Sequence, residues 1–154
     1  MKHYSFSIRG NHESDTANPI PKIRKTMRQR WTPEARRYAA WKTYVQEAFL
    51  RSLMQLDFNR HIHYRRVLQK PIKLDYGDKA VMDIRIFWKD ERHGDPENVF
   101  GSIADALFYN DKCLDGSFQS EISSDKQGRV EVAIKIKKHG EKETDDTDSL
   151  GEDR

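Results

Sequence analysis

His93–Lys112, HGDPENVFGSIADALFYNDK, opens with two closely spaced acids and continues as a stretch with helical periodicity. Asp95 occupies the position of an N-cap, and Pro96 suits the first helical position, where its missing N–H costs no hydrogen bond. The apolar residues that recur at helical spacing are Val99, Phe100, Ile103, Ala104, Leu107 and Phe108. The stretch therefore predicts a helix that begins at Pro96 and buries one face in a core.

Acidic side chains stand near both ends of this helix. A helix rises about 1.5 Å per residue, so Glu97 and Asp105 on its polar face lie roughly 12 Å apart along the axis. Magnesium ligands lie about 2.1 Å from the ion, so only Asp95 and Glu97 are close enough to share one. A third acid must come from beyond the helix, from Asp111 or Asp115. This pattern predicts a divalent-metal site, and the alternative is that the first two acids only cap the helix and complement its dipole.

The spacing of these residues resembles the RusA family of Holliday junction resolvases, endonucleases found in phages and prophages. That family has the pattern Asp-x-Asp-Asn, then a Lys, then Asp-Ala-Leu, and later an acidic pair. Here Asp95, Glu97 and Asn98 match the first part, and residues 105–107 match Asp-Ala-Leu. The resemblance covers most of residues 3–137, including a first strand, a Pro-rich loop, a basic segment before a long helix and a closing hairpin that ends in GRVEVAIKI.

The resemblance implies a metal-dependent endodeoxyribonuclease that resolves Holliday junctions and other branched DNA by paired phosphodiester cleavage. It implies that Asp95, Glu97 and Asp111 hold one or two Mg²⁺ or Mn²⁺ ions, which would polarise the phosphodiester, activate water and stabilise the leaving oxyanion. Paired cuts in opposing strands imply a homodimer with two sites. The resemblance also implies phage or prophage origin, a location in the cytoplasm of a bacterial host, and a role in DNA recombination, repair or phage DNA processing.

Three positions depart from the family pattern. Glu97 replaces an Asp and adds a methylene, and Gly101 replaces the Lys, which removes a cation that could stabilise charge on the phosphate. Lys112 is a candidate to supply that cation from another direction. Asp111 is favoured as the third ligand because it follows an aromatic residue at the usual position, but an ungapped alignment instead brings Asp115 near that place. These departures leave two alternatives, a catalytically weak protein that binds branched DNA and another metal-dependent nuclease.

The charge of the chain is unevenly distributed. The chain has 28 basic and 25 acidic residues, of which three basic and seven acidic residues lie at 138–154. Residues 1–137 therefore hold 25 basic and 18 acidic residues and carry a net charge of +7. A basic body suits a polyanionic partner such as DNA, with an affinity that depends on salt. We therefore expect a RusA-like endonuclease domain over residues 1–137 and an acidic, disordered tail over residues 138–154.

Size and composition place the chain among intracellular single-domain proteins. The length of 154 residues suits one domain with a real core. Cys113 is the only cysteine, which excludes an internal disulfide and fits a reducing cytoplasm. No apolar run approaches the roughly 18 residues that a membrane-spanning helix needs. We expect a cytoplasmic protein with no membrane partner.

A basic segment, KIRKTMRQRWTPEARR, precedes and enters the long helix at residues 22–37. Most of its charge precedes the helix cap at Thr32, so we expect it on a loop that contacts DNA phosphates. The residues of this predicted DNA-binding arm are Lys22, Arg24, Lys25, Arg28, Arg30 and Trp31. The tryptophan is expected to stack on an unpaired base or ribose, or else to pack against the helix. His93 is a further candidate for contact with the scissile phosphate, and an ordinary loop histidine is the alternative.

Periodicity predicts the remaining elements. The long helix is expected at Thr32–Leu56, and the strands at His3–Arg9, Pro71–Tyr76, Lys79–Trp88, Phe118–Ser123 and Arg129–Lys137. Turn signals at residues 77–78 and 125–128 predict that the second and third strands form one hairpin and the last two form another. The expected fold is a single α+β domain, a mixed or antiparallel sheet of about five strands packed by two main helices.

Overall fold

A computed structural model of the protein describes residues 1–23, 31–53, 70–110 and 114–140. The elements in chain order are β1 (Lys2–Arg9), α1 (Pro33–Leu53), β2 (Lys79–Trp88), α2 (Pro96–Leu107), β3 (Leu114–Ile122) and β4 (Arg129–Lys137). The strands form one mixed sheet in the order β1-β4-β2-β3. The predicted single α+β domain with two helices is confirmed, although the described residues form four strands rather than five. None of the helices in these ranges is long and apolar enough to cross a membrane.

Strand β4 lies in the middle of the sheet, antiparallel to β1 on one side and to β2 on the other. Its apolar residues are at most 4% exposed and alternate with polar ones: Val130, Val132, Ile134 and Ile136. In β1, Phe6 and Ile8 are buried on the same face, as the alternation in the sequence predicts. One face of the sheet therefore forms the core beneath the helices.

Strands β2 and β3 are parallel neighbours, with α2 as the crossover between them. The predicted closing hairpin is therefore wrong, because β3 pairs with β2 and does not pair with β4. Composition explains the difference, since LDGSFQSEI has few apolar residues and suits an exposed edge, whereas β4 can be buried between two neighbours. After β3, the N–H of Ser123 donates to the carbonyl of Trp88, the last residue of β2, at 2.7 Å. The chain then passes this end of β2 and continues as β4, which pairs with β2 on the side away from β3.

The predicted strand Pro71–Tyr76 is not part of the sheet. Its Ile72 forms an isolated bridge with Phe108, at the end of α2. The N–H of Ile72 donates to the carbonyl of Leu107 at 2.9 Å, and the carbonyl of Ile72 accepts from Tyr109 at 2.8 Å. Because β2 already has β4 and β3 as neighbours, it offers no free edge for the predicted hairpin.

The turn predicted at Gly77 and Asp78 is present, with Gly77 at a φ of +86° that favours glycine. The carboxylate of Asp78 accepts hydrogen bonds from the backbone N–H of His139 at 2.8 Å and from Nζ of Lys138 at 3.2 Å. Contacts of the domain thus continue past the point where the sequence predicts the polar tail to begin. Residues 141–154 lie outside the described residues.

Helix α1 begins directly after its Thr32 cap, as predicted, and its predicted C-terminal end lies outside the described residues. Two buried hydrogen bonds join it to α2. The indole N–H of Trp41 donates to Oγ of Ser102 at 3.0 Å, and the side-chain amide of Gln46 donates to the carbonyl of Ala106 at 2.8 Å. These bonds satisfy polar groups inside the helix pair and fix how α2 is turned on the core.

Close approach of β2 and β3 at Gly116 gives a test of the fold. A Cβ there would lie 1.8 Å from the carbonyl oxygen of Met82 and 2.9 Å from the Phe100 ring. We predict that Gly116→Ala lowers the free energy of unfolding by about 2 kcal/mol or more, because such crowding forces the strands apart. As a control, Gly101→Ala meets only ordinary contact, 3.4 Å from Cδ of Lys22, and should leave stability unchanged or raise it by up to about 1 kcal/mol. Urea denaturation measures both, and a Gly116→Ala protein as stable as wild type would contradict the β2–β3 pairing.

Candidate functional site

Asp95 caps α2, as the sequence predicts. Its backbone is extended, with φ −78° and ψ 128°, and its Oδ1 accepts from the N–H of Glu97 at 2.9 Å. Its carbonyl accepts the first helical bond, from Val99 at 3.1 Å. Both acidic side chains are exposed. Capping therefore occupies one carboxylate oxygen of Asp95 and leaves the other available to a ligand, and the exposed carboxylate of Glu97 belongs to the first turn that follows.

Lys22, in the N-terminal loop of residues 10–23, lies against the first turns of α2. Its backbone N–H donates to the carbonyl of Asn98 in the first turn of α2, at 2.8 Å. Its side chain lies along Gly101, where an added Cβ would be 3.4 Å from Cδ of Lys22 and 3.7 Å from its Cβ. The absence of a side chain at Gly101 thus makes room for a lysine that comes from another segment.

Of the two candidates for the third acid of the predicted metal site, only Asp115 is among the described residues. In β3, Gly116 faces Phe100 of α2, and successive residues of a strand point to opposite faces, so Asp115 points away from α2. Asp111 and Lys112 lie outside the described residues. Within the described ranges, no group of three or more His, Cys, Asp or Glu residues is arranged to hold a metal ion. The structure therefore places Asp95 and Glu97 at the cap and in the first turn of α2, and Asp115 on the face of the sheet that points away from α2. An ion shared by Asp95 and Glu97 stays a prediction.

His93 lies in the connection between β2 and α2, and its ring is exposed. It stacks on the buried ring of Trp88, with centroids 4.3 Å apart and planes inclined by 13°. Its Nδ1 lies 2.9 Å from the carbonyl oxygen of Gly94, which can only accept, so Nδ1 carries the hydrogen of this bond. The stacking and the bond fix the imidazole, and contact of Nε2 with a phosphate stays a prediction.

The basic arm is only partly described. Trp31 is 67% exposed, so most of its surface is not packed against α1. Lys22 is exposed as well. The other predicted phosphate contacts lie outside the described residues: Arg24, Lys25, Arg28 and Arg30. DNA contact by this arm stays a prediction.

Asp105, the acid of the Asp-Ala-Leu motif, joins α2 to two other segments. Its carboxylate accepts from the hydroxyl of Tyr38 at 2.9 Å and from Nζ of Lys70 at 3.0 Å, and Nζ of Lys42 lies 3.4 Å away. Burial raises the pKa of Asp105, but the hydrogen bonds from Lys70 and Tyr38 and the two lysine charges outweigh it and lower the pKa to about 2. Burial, with the charge of Asp105, also raises the pKa of Tyr38. We conclude that Asp105 is a structural ion-pair centre and not a metal ligand.

Asn18 is an important residue that sequence reasoning missed. Its Oδ1 accepts from the N–H of Lys89 at 2.6 Å, and its Nδ2 donates to the carbonyl of Arg92 at 3.0 Å. Nδ2 of Asn11 in turn donates to the carbonyl of Asn18 at 2.8 Å. The N-terminal loop is thereby bonded to the connection that carries His93. These partners lie more than 70 residues apart in the chain, so no local pattern could have indicated them.

Comparisons with known proteins leave the family open. Comparison of the chain with models of known protein families gave no match, and comparison with curated protein sequences gave no match. The resemblance of the acid spacing to the RusA family therefore stays a prediction, and the function has to be argued from the geometry of the site.

The ion-pair centre at Asp105 gives a pH test. Because its pKa is about 2 in the fold and 3.8 ordinarily, the ionised carboxylate stabilises the fold at neutral pH, and this contribution is lost as the pH falls from about 4 to about 2. We predict that Asp105→Asn lowers the free energy of unfolding by about 1–2 kcal/mol at pH 7, a value reduced for solvent screening. The difference should nearly vanish at pH 2. Urea denaturation at the two pH values measures it, and an undiminished difference at pH 2 would contradict the assignment.

Proposed function

We propose that the chain is a metal-dependent endodeoxyribonuclease that cleaves branched DNA, with the four-way junction as its principal substrate. The observation that carries the proposal is the composition of the start of α2. Asp95 and Glu97 expose their carboxylates there, and the side chain of Lys22 lies along Gly101, one turn further into the helix. Cleavage of a phosphodiester needs oxygen ligands for a divalent ion and a cation that stabilises charge on the phosphate. The resemblance of the acid spacing to the RusA family, carried in part by the same two acids, supports the same reading.

The donor set at the start of α2 fits a magnesium or manganese ion. Magnesium keeps several waters and is commonly held by one or two carboxylates together with substrate phosphates. Asp95 offers the oxygen that its cap does not use, and Glu97 offers an exposed carboxylate. We assign the third ligand to Asp111, because Asp115 points to the opposite face of the sheet. When bound, the ion supplies polarisation of the phosphodiester and activation of water.

The surrounding residues position and neutralise the substrate. The cap bond holds the carboxylate of Asp95 in one orientation, so it needs no rearrangement to bind. The backbone bond of Lys22 to Asn98 anchors the lysine, and its ammonium stabilises negative charge that develops on the phosphate. The stacked ring of His93 presents Nε2 for a hydrogen bond to the phosphate or to water.

Paired cuts require two sites, so the proposal includes a homodimer. Strand β3 is at the edge of the sheet, and its helix-side residues Phe118 and Ile122 are 43% and 46% exposed. Two exposed apolar side chains on an otherwise polar edge strand suit contact with a second copy of the chain. Analytical ultracentrifugation measures the assembly, and a monomer at all concentrations would count against the dimer. A phage or prophage gene and a bacterial cytoplasm belong to the same proposal.

A second candidate is a protein that binds branched DNA without cutting it. Position 116 of β3, which faces α2, holds glycine rather than an acid, so the described residues place only two carboxylates at the start of the helix. Such a protein would bind junctions with no metal-dependent cleavage. Another metal-dependent nuclease, the third possibility, would cut linear duplex as well as junctions.

We predict magnesium-dependent nicks in a synthetic four-way junction and none in a linear duplex of matching sequence. Asp95→Asn should reduce the cleavage rate at least about 100-fold, because it removes a ligand charge while Asn still caps the helix. Glu97→Gln and Asp111→Asn should have the same effect. Gel electrophoresis of end-labelled junctions, with and without magnesium, measures the rates.

Asp115→Asn is the matched control, since its carboxylate points away from α2, and it should cleave at the wild-type rate. Junction binding without cleavage in wild type, with either magnesium or manganese, would reject the nuclease in favour of the binding protein. Equal cleavage of junction and duplex would reject junction selectivity.

The side chain of Lys22 along Gly101 leads to a rescue experiment. We predict that Lys22→Ala slows junction cleavage by about 10- to 100-fold, because the phosphate loses a stabilising cation. The double variant Lys22→Ala/Gly101→Lys returns a cation to the same helix surface and should recover most of the lost rate. Lys112→Ala should cleave at the wild-type rate if Lys22 supplies the cation. Full activity of Lys22→Ala with loss in Lys112→Ala would instead assign the role to Lys112.

A further inference from the structure

A cleft of about 350 Å³ opens beside the start of α2. Its walls come from the N-terminal loop, the connection between β2 and α2, and α1. Pro21 and Gly94 line it, and these residues are the chain neighbours of Lys22 and Asp95. A Cβ added at Gly94 would lie 3.0 Å from Cγ of Pro21, so the two walls touch next to the acids. The cleft is therefore continuous with the proposed cleavage site, although it is formed by other residues.

The lining of the cleft is positively charged. Lys89, Arg92 and Arg37 contribute three cations, and Asp90 is the one acid among the described lining residues. Arg37 is already paired with Glu13. The carboxylate of Asp90 accepts from the backbone N–H of Arg92 at 2.9 Å. Within the described part of the chain, the ammonium of Lys89 and the guanidinium of Arg92 have no ion-pair partner, so they are available to an anion.

These two cations stand on a fixed frame. Asn18 bonds to the backbone of both Lys89 and Arg92, which holds their segment against the N-terminal loop. The imidazole of His93 adds a flat polar wall, fixed on Trp88. Because the backbone is held, only the two side chains have to order when an anion binds, and their charge favours a phosphate over an apolar ligand.

We propose that this cleft binds the DNA backbone, with Lys89 and Arg92 each contacting a phosphate next to the one that is cleaved. The inference rests on the proposed DNA substrate but does not require cleavage. Contacts of Lys and Arg to phosphates position the strand without reading its sequence. The cleft would therefore set where a branched substrate lies relative to Asp95, independently of base identity.

Salt dependence of binding tests the proposal. The affinity for a four-way junction is measured by fluorescence anisotropy in EDTA, which prevents cleavage, over a range of NaCl concentrations. Each phosphate contact contributes about 0.9 to the slope of log affinity against log salt concentration, so Lys89→Ala/Arg92→Ala should reduce the slope by about two. The charge-conserving variant Lys89→Arg/Arg92→Lys should keep the wild-type slope, as a control for folding.

A second control removes two exposed lysines from the opposite face of the sheet, as Lys79→Ala/Lys135→Ala. This variant has the same net charge as Lys89→Ala/Arg92→Ala and should change the slope by less than about one. Equal slopes for the two double variants, or a wild-type slope in Lys89→Ala/Arg92→Ala, would overturn the proposal.

The cleavage assay separates this inference from the proposed function. Junction binding whose slope depends on Lys89 and Arg92, in a protein that never cuts, would uphold the cleft and reject the nuclease. Normal cleavage, together with a salt slope that Lys89→Ala/Arg92→Ala leaves unchanged, would support the proposed nuclease and reject DNA binding by the cleft.

Discussion

Burial of one face of α2 is the constraint on which the site depends. Val99, Ile103 and Leu107 are completely buried, and Trp41 and Gln46 of α1 fix the helix through hydrogen bonds. Burial of that face fixes the rotation of the helix about its axis, so its N-terminal acids project into solvent. The same helix is the crossover between the parallel strands β2 and β3, so the sheet topology and the position of the acids follow from one packing event.

Segments far apart in the chain complete the site around this helix start. The N-terminal loop supplies Lys22 and Asn18, which holds the frame, and the connection between β2 and α2 supplies Lys89, Arg92 and His93. These cations thus belong to the two segments next to the start of α2, in a protein whose residues 1–137 carry a net charge of +7. For the proposed DNA substrate, these cations would offset repulsion by the two carboxylates and would make binding sensitive to salt.

Local patterns predict both helices and most strands, but not that residues 71–76 stay out of the sheet, and they predict the pairing between strands wrongly. The cap at Asp95, the apolar face of α2 and the alternation in β4 all follow from residues within a few positions of one another, so the sequence contains the signal. Pairing depends on competition between distant segments. The turn before β4 suggested a hairpin, but the apolar β4 is more stable in the middle of the sheet than beside the polar β3. Likewise, the side chain of Lys22 along Gly101 joins positions about 80 residues apart, and only the folded structure shows it.

The most direct test of a metal centre at Asp95 and Glu97 is a Mn²⁺ titration of the DNA-free protein, followed by electron paramagnetic resonance. The account predicts saturable Mn²⁺ binding in wild type, strong weakening in Asp95→Asn and in Glu97→Gln, and wild-type binding in Asp75→Asn, a matched change of an exposed acid elsewhere. Absence of saturable binding in wild type, or equal binding in all four proteins, would contradict a metal centre at the start of α2.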